Sequence, residues 1–237
     1  MQDLPISLAG ARASVFSPQN HNFVTIDAIL NEPSIAVKAA SLQKFAKIIP
    51  QYPGVRAPLE PAVCRTWLEK LSPLLNANFG AAKHGWEMQG WYSIVTTPPA
   101  QLQPIQRLPH VDGTDPDQIA LMLYLHTTGH GGTAFFRHKS TGLEALTAES
   151  YPRYAETLQR EVNQTGLPPA AYTTDGAPHF ERTHTVPGTF NQAVLYRGNI
   201  LHSGVIDNQA PLPADPTKGR LTINAFLRPI RNVKASS

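Results

Sequence analysis

Ile119-Ala120-Leu121-Met122-Leu123-Tyr124-Leu125-His126 is the stretch whose reading decides the fold. Leu121, Leu123 and Leu125 recur at every second position, with Met122, Tyr124 and His126 between them. Successive side chains of a strand point to opposite faces, so this segment reads as a strand with one aliphatic face and one mixed face. Residues 220–227 repeat the pattern: Leu221, Ile223, Ala225 and Leu227 share one face, and Arg220, Thr222, Asn224 and Phe226 the other. Two arrangements explain such a pair. The mixed face meets solvent, or it lines the interior of a small barrel whose aliphatic side is covered by helices. The second accounts for Tyr, His, Arg and Asn sharing a face with Met and Phe rather than with Lys and Glu.

Working outward, residues 88–96, 133–138, 180–186 and 192–196 also read as strands, separated by Pro, Gly, Asn and Asp turns, with a shorter one at 23–26. Upstream the period changes. Ile35, Ala39, Leu42, Phe45, Ala46 and Ile49 predict an amphipathic helix over 33–49, begun by Pro33 and ended by Pro50 and Pro53-Gly54. Val63, Trp67, Leu71 and Leu74 predict a second over 61–76, with Pro73 kinking or shortening its last turn. A third helix, about 146–163, interrupts the strands. The expectation is one domain over 1–237, mainly β with N-terminal helices (α+β). Residues 20–80 form a helical support, and 86–230 a β core carrying an insertion at 141–187.

The chain has 237 residues, enough for a sizeable core, and 22 prolines, which favour short elements and loops over a helical bundle. The net charge of +3 comes from scattered basic residues without a Lys/Arg patch, so no nucleic-acid partner is expected. An anionic small molecule fits the sign. Cys64 is the one cysteine, so no disulfide forms within the chain; it reads as a buried filler. The first sixteen residues lack a signal-peptide pattern and no run is long enough to span a bilayer, so a cytoplasmic location without membrane contact is expected. Nothing in the sequence speaks to oligomeric state.

The chemistry concentrates in Leu108-Pro109-His110-Val111-Asp112-Gly113 and Asn199-Ile200-Leu201-His202. At i and i+2 on a strand, His110 and Asp112 point the same way, and His202 supplies a second imidazole from a later strand. Two imidazoles and one carboxylate hold one face of a divalent ion and leave the other open, the signature of non-haem Fe(II) oxygenases.

Leu123 to His126 followed by Gly131-Gly132-Thr133-Ala134-Phe135-Phe136 resembles the strand–turn–strand after the His-x-Asp pair in prolyl-hydroxylase-like Fe(II)/2-oxoglutarate-dependent dioxygenases. Residues 193–202 resemble the strand bringing in their distal His, and 219–226 the one carrying their basic clamp. Tyr52-Pro53-Gly54-Val55-Arg56 is similar to a bacterial branch of the superfamily. The resemblance implies a double-stranded β-helix (jelly-roll, cupin-like) core with helices on one face. It implies Fe(II) on His110, Asp112 and His202, with 2-oxoglutarate and O2 as co-substrates. Arg220 would clamp the co-substrate's distal carboxylate, with Tyr124, Thr222 and Asn224 beside it. The implied activity is hydroxylation of a C–H bond of a small molecule, amino acid or peptide side chain, releasing succinate and CO2. Related halogenases carry a small residue where this chain has Asp112.

Arg220 follows His202 by 18 residues, more than the family spacing, and 207–216 reads as an inserted loop. Arg197 and Arg228 are reserve candidates for the clamp. Arg137 and His138 are candidates for substrate contact, and the remaining histidines of this half read as structural. The 141–187 insertion is the natural candidate for a lid. Two competing readings stay open: a non-catalytic jelly-roll protein binding a carboxylate ligand or a partner, and a cupin-like metal isomerase or hydrolase.

Overall fold

In the computed structural model, which describes residues 4–17, 19–127, 129–173, 175 and 177–231, the alternate residues of the two quoted strands fall on opposite faces of one antiparallel sheet. In chain order the elements are β1 (Ala11–Phe16), β2 (His21–Ile26), α1 (Pro33–Ser41), β3 (Gly54–Pro58), α2 (Pro61–Phe79) and β4 (Trp86–Val95). There follow β5 (Ile119–Tyr124), β6 (Thr133–His138), α3 (Tyr151–Thr165), β7 (Phe180–Val186), β8 (Ala193–Arg197), β9 (His202–Gly204) and β10 (Arg220–Pro229). The large sheet runs β1-β2-β8-β5-β10-β4-β3 and the small one β7-β6-β9. His110 extends the small sheet past β9 through a pair of backbone bonds with His202, at 2.9 and 2.8 Å.

Four layers result. Leu121, Leu123, Leu195, Leu221 and Ile223 pack on Ala36 and Ala40 of α1 and on Trp67, Leu71 and Leu75 of α2. Trp67 is fully buried and its indole N–H donates to the Leu4 carbonyl at 2.7 Å, so a large ring enters the core with its polar atom satisfied. On the other face of the large sheet, Tyr124 and Tyr196 meet Phe135 and Val186 of the small sheet. Outside the small sheet, Tyr154 of α3 packs with Phe136 and Phe180. The mixed faces of β5 and β10 therefore point between the sheets, as the barrel-interior reading expects.

The departures are local. The first helix ends at Ser41 rather than continuing to residue 49: Leu42 is 74% exposed, and 42–53 runs on as loop. The second outlasts Pro73 and reaches Phe79. Pro73 and Glu69 are both exposed, so the carbonyl deprived of its partner by Pro73 lies on the wet side of the helix. β1 and β3 were not expected. Residues 141–187 are not one excursion: they contain β7, a strand of the small sheet. α3 lies on that sheet's outer side, tied by a 2.8 Å contact between His138 Nε2 and Glu161. Of the 141–187 segment, Tyr172 lines the cavity between the sheets, whereas no residue of α3 does.

Candidate metal centre

His110, Asp112 and His202 converge, each offering a donor atom within 4.8 Å of the other two. Backbone bonds fix the approach. His110 is bridged to His202, and the Asp112 N–H donates to the Gly198 carbonyl at 2.7 Å, so both ends of the His-x-Asp stretch are pinned to the segment that presents His202. The His202 Nδ1 lies 2.8 Å from the Ile200 carbonyl. That carbonyl can only accept, so Nδ1 carries the proton and Nε2 keeps its lone pair, 3.5 Å from Asp112 Oδ2. Metal–ligand distances of about 2.0–2.2 Å put donors roughly 3 Å apart, so a small side-chain rotation closes the set. The donor set and its tautomer suit a divalent ion.

The electrostatics agree. Desolvation among the side chains of the site lowers His110 from its ordinary value, helped by His202 and opposed by Asp112, although part of the ring is open to the cavity. Burial likewise lowers His202 to about 4 and raises Asp112 to about 6. At neutral pH both imidazoles are neutral, the form that binds metal, and the carboxylate is ionised in a place that disfavours its charge. A cation restores what burial removes.

The triad lines a cavity of about 360 Å³ between the sheets. His110 is exposed towards it, and Arg220 and Asn224 lie on its wall. Tyr124 and Thr222 are fully buried behind the wall. The Tyr124 hydroxyl bonds Thr133 Oγ1 at 2.8 Å, and Thr222 donates to Asn224 Oδ1 at 2.7 Å. Arg220 is 2% exposed. Its Nη2 donates to the Gly131 and Gly132 carbonyls at 3.1 and 2.9 Å, while its Nε has no partner. The Gly-Gly turn is forced by crowding: a Cβ on Gly132 would stand 2.3 Å from the Val186 carbonyl oxygen. Tyr52, Tyr124 and Tyr172 are close enough to act on the guanidinium's charge. Among the described residues no carboxylate pairs with it. Stripping a charge of water costs several kcal/mol, so an unanswered buried cation on a cavity wall is organised for an anion.

The reserve candidates fall elsewhere. Arg197 bonds the Phe79 and Pro116 carbonyls, and Arg228 bonds Gln118. Arg137 faces Glu144 and Glu181, and His138 is taken by Glu161 and Thr141. None of these four lines the cavity. Four residues without an assigned role do: Tyr196, packed edge-on to His202 at 5.0 Å; Tyr172, whose hydroxyl donates to the Thr97 carbonyl at 2.7 Å; and Arg56 with its neighbour Tyr52. The sequence held one signal for the last pair, the 52–56 stretch noted above.

Two facing antiparallel sheets with a two-His, one-carboxylate centre at the inner face define a β-sandwich protein suited to a metal ion. Residues 10–227 match the family model described as a family of unknown function, DUF6445, and the chain belongs to that family. No curated protein sequence matches it. Among solved structures it is similar to HygX from Streptomyces hygroscopicus with nickel and 2-oxoglutarate bound, at TM-score 0.47 and 11% identity over 87% of this chain and 82% of that one. It is similar to SnoN from nogalamycin biosynthesis, a non-heme alpha ketoglutarate dependent epimerase, at 0.45 and 12% over 86% and 76%. A viral collagen prolyl hydroxylase, vCPH from Paramecium Bursaria Chlorella virus-1, gives 0.43 and 10% over 88% and 96%.

Proposed function

We propose that this chain is an Fe(II)- and 2-oxoglutarate-dependent oxygenase that oxidises a C–H bond of a small molecule, amino acid or peptide side chain, hydroxylation being the expected outcome. The observation that carries this reading is one cavity holding both an open-faced His110–Asp112–His202 centre and a buried Arg220 without a carboxylate partner. The strand pairing supports a double-stranded β-helix core: β4-β10-β5-β8 on one side, and His110, β9, β6 and β7 in order on the other.

His110, Asp112 and His202 would hold the ion. When bound, iron with 2-oxoglutarate and O2 supplies the oxidising chemistry, in which succinate and CO2 are released and a substrate C–H bond is oxidised. The chain's own residues position and shield. His202 is locked into the metal-binding tautomer by the Ile200 carbonyl. Arg220 offers a planar donor to the co-substrate's distal carboxylate. A Cβ on Gly204 would stand 3.6 Å from Arg220 Nη2, so the guanidinium lies beside β9 two residues from His202. Two residues of strand rise about 6.6 Å, a span suited to an extended five-carbon diacid. Tyr124, Thr222 and Thr133 keep the floor of the site dry and hydrogen-bonded.

The deciding experiment is anaerobic addition of Fe(II) and 2-oxoglutarate, followed by succinate release under air over an amino-acid, peptide and metabolite panel. A visible charge-transfer band that His202→Ala abolishes is the expected result. Its absence in the wild-type protein, or its persistence in the variant, rules the reading out.

A further inference from the structure

Arg56 is the cavity's second cation without a carboxylate in direct contact among the described residues; Asp112, across the cavity, acts on its charge only at longer range. Arg56 sits on β3, and its backbone is held from both sides: it pairs with Ser93 of β4 and exchanges hydrogen bonds of 2.9 and 2.8 Å with Ala46. The register carries a continuous row across four strands: Arg56, Ser93, Thr222 and Tyr124. The side chain therefore projects from a rigid element into the same interior as the proposed co-substrate site. Its guanidinium carbon lies 4.1 Å over the Tyr52 ring and 5.7 Å from that of Trp91, which fix its plane. Its Nε is buried without a partner, and among the described residues the side chain makes no hydrogen bond or ion pair. An arginine fixed by stacking but left with free donors is arranged to receive a planar anion.

The charges of the cavity point the same way. Beside the two imidazoles, the charged side chains lining it are Arg56, Arg220 and Asp112. That set carries one net positive charge, and since a divalent ion and a dianionic co-substrate cancel, that charge remains when both are bound. Near the opening the wall mixes isoleucines with the uncharged Gln51 and Gln106. Ile49 and Ile105 are exposed at 41% and 53%, and Met122 and Phe226 lie deeper. At about 360 Å³ the cavity is near the lower end of the roughly 300–1,000 Å³ of ligand sites, so a co-substrate leaves room for one small partner.

We propose that Arg56 binds the carboxylate of the substrate, which makes the substrate a small carboxylic acid with an apolar body. The inference rests on the oxygenase reading for its second ligand. Arg220 then serves the co-substrate and Arg56 the substrate: Arg56 starts the cross-strand row, and Arg220 stands on β10 two residues from its Thr222.

The test uses the full chain loaded with Zn(II), which occupies the ligands without turnover, at saturating 2-oxoglutarate. Hexanoate and 3-phenylpropanoate are titrated by ligand-observed NMR beside hexanamide and 3-phenylpropanamide. The wild-type protein is expected to bind at least one acid about tenfold or more tightly than its amide, the scale of a hydrogen bond to a charged group. R56Q is expected to lose that preference, R56K to keep part of it, and both to bind 2-oxoglutarate within about twofold of wild type by calorimetry. Failure of the wild type to bind either acid, equal binding of acid and amide, or an unchanged preference in R56Q overturns the proposal. Loss of 2-oxoglutarate instead of the acid in R56Q overturns it too, by making Arg56 the co-substrate clamp. A wild-type protein that binds no 2-oxoglutarate at all refutes the oxygenase reading; the acid–amide preference, read without 2-oxoglutarate, still decides whether Arg56 is an anion site. Should R56Q misfold, the wild-type preference and R56K decide.

Discussion

Alternate residues of β10 live in two environments. Leu221, Ile223, Ala225 and Leu227 face the helices, are at most 1% exposed, and meet other aliphatic groups. Arg220, Thr222 and Asn224 face the opposite way, are buried too, at no more than 8% exposed, and meet tyrosines, backbone carbonyls and a cavity. Burial alone does not tell these faces apart. What differs is whether burial is answered. The aliphatic face gains stability from leaving water, about 25 cal/mol per Å². The polar face holds a guanidinium whose desolvation the protein does not repay by itself. One face of the strand builds the protein, and the other waits for a ligand.

If that division is right, substitutions on the two faces separate stability from binding. The largest effect is expected at the centre itself. His202→Ala removes one of three ligands, so metal affinity should fall by more than the roughly 100-fold that loss of an outer hydrogen-bond partner costs, measured by competition with a chromogenic chelator. The ligand-free melting temperature should hardly move. Trp67→Ala on the helix side should do the reverse, lowering unfolding free energy by about 3–5 kcal/mol in urea while the folded fraction binds metal normally. A Trp67 variant that loses metal at full folding would break the comparison.

Arg220→Gln comes next. Removing a charge-assisted hydrogen bond should weaken 2-oxoglutarate binding by about 1.5–3 kcal/mol, roughly 10- to 100-fold by calorimetry, with metal affinity unchanged. Because the replaced group is a buried cation without a counter-ion, the ligand-free protein should melt no lower than the wild type. A clear fall in melting temperature would mean that Arg220 holds the Gly131-Gly132 turn rather than a ligand.

The same division explains what was legible in the sequence. The two-faced strands were readable because a period of two survives whether the polar face meets water or a cavity. The convergence of His110, Asp112 and His202 was readable because the first two lie two residues apart and His202 ends an apolar run, although residues 108–113 form no strand and only His110 makes a β-bridge. The helix expected over 33–49 was not: Leu42 and Ile49 keep its period but not its burial, and Ile49 borders the cavity mouth instead of the core. β3 escaped for the opposite reason. Gly54 and Pro58 mark it as a turn, yet Gly54 is required by close contact, since a Cβ there would stand 2.0 Å from the Ile94 carbonyl oxygen. Arg56 stayed hidden with it. A lone arginine between glycine and proline carries no periodic signal, and its significance depends on Tyr52, Trp91 and the empty donors that only the fold reveals.

The smallest effect is a matter of pH, and it tests whether the cavity face is as dry as its burial implies. Asp112 has a folded-state value raised to about 6, so its ionised form costs stability that is absent below the unfolded value of 3.8 and fully present above about 6. The two imidazoles act with the opposite sign. Lowered from 6.5 to about 4, they contribute stability above 6.5 that is lost as the pH falls towards 4. Metal must displace whatever protons these donors carry. Between pH 7 and pH 5 the imidazoles stay neutral and Asp112 takes up its proton, so affinity should fall about tenfold, or about 1.4 kcal/mol. A hydrated site with ordinary imidazoles near 6.5 would instead protonate both and lose roughly 600-fold over the same range. Zn(II) titrations at the two pH values distinguish these slopes. The shallow one belongs to a centre shielded from water; the steep one would mean that the polar face of the sheet is open to solvent after all, which would return the strand pattern to its other explanation.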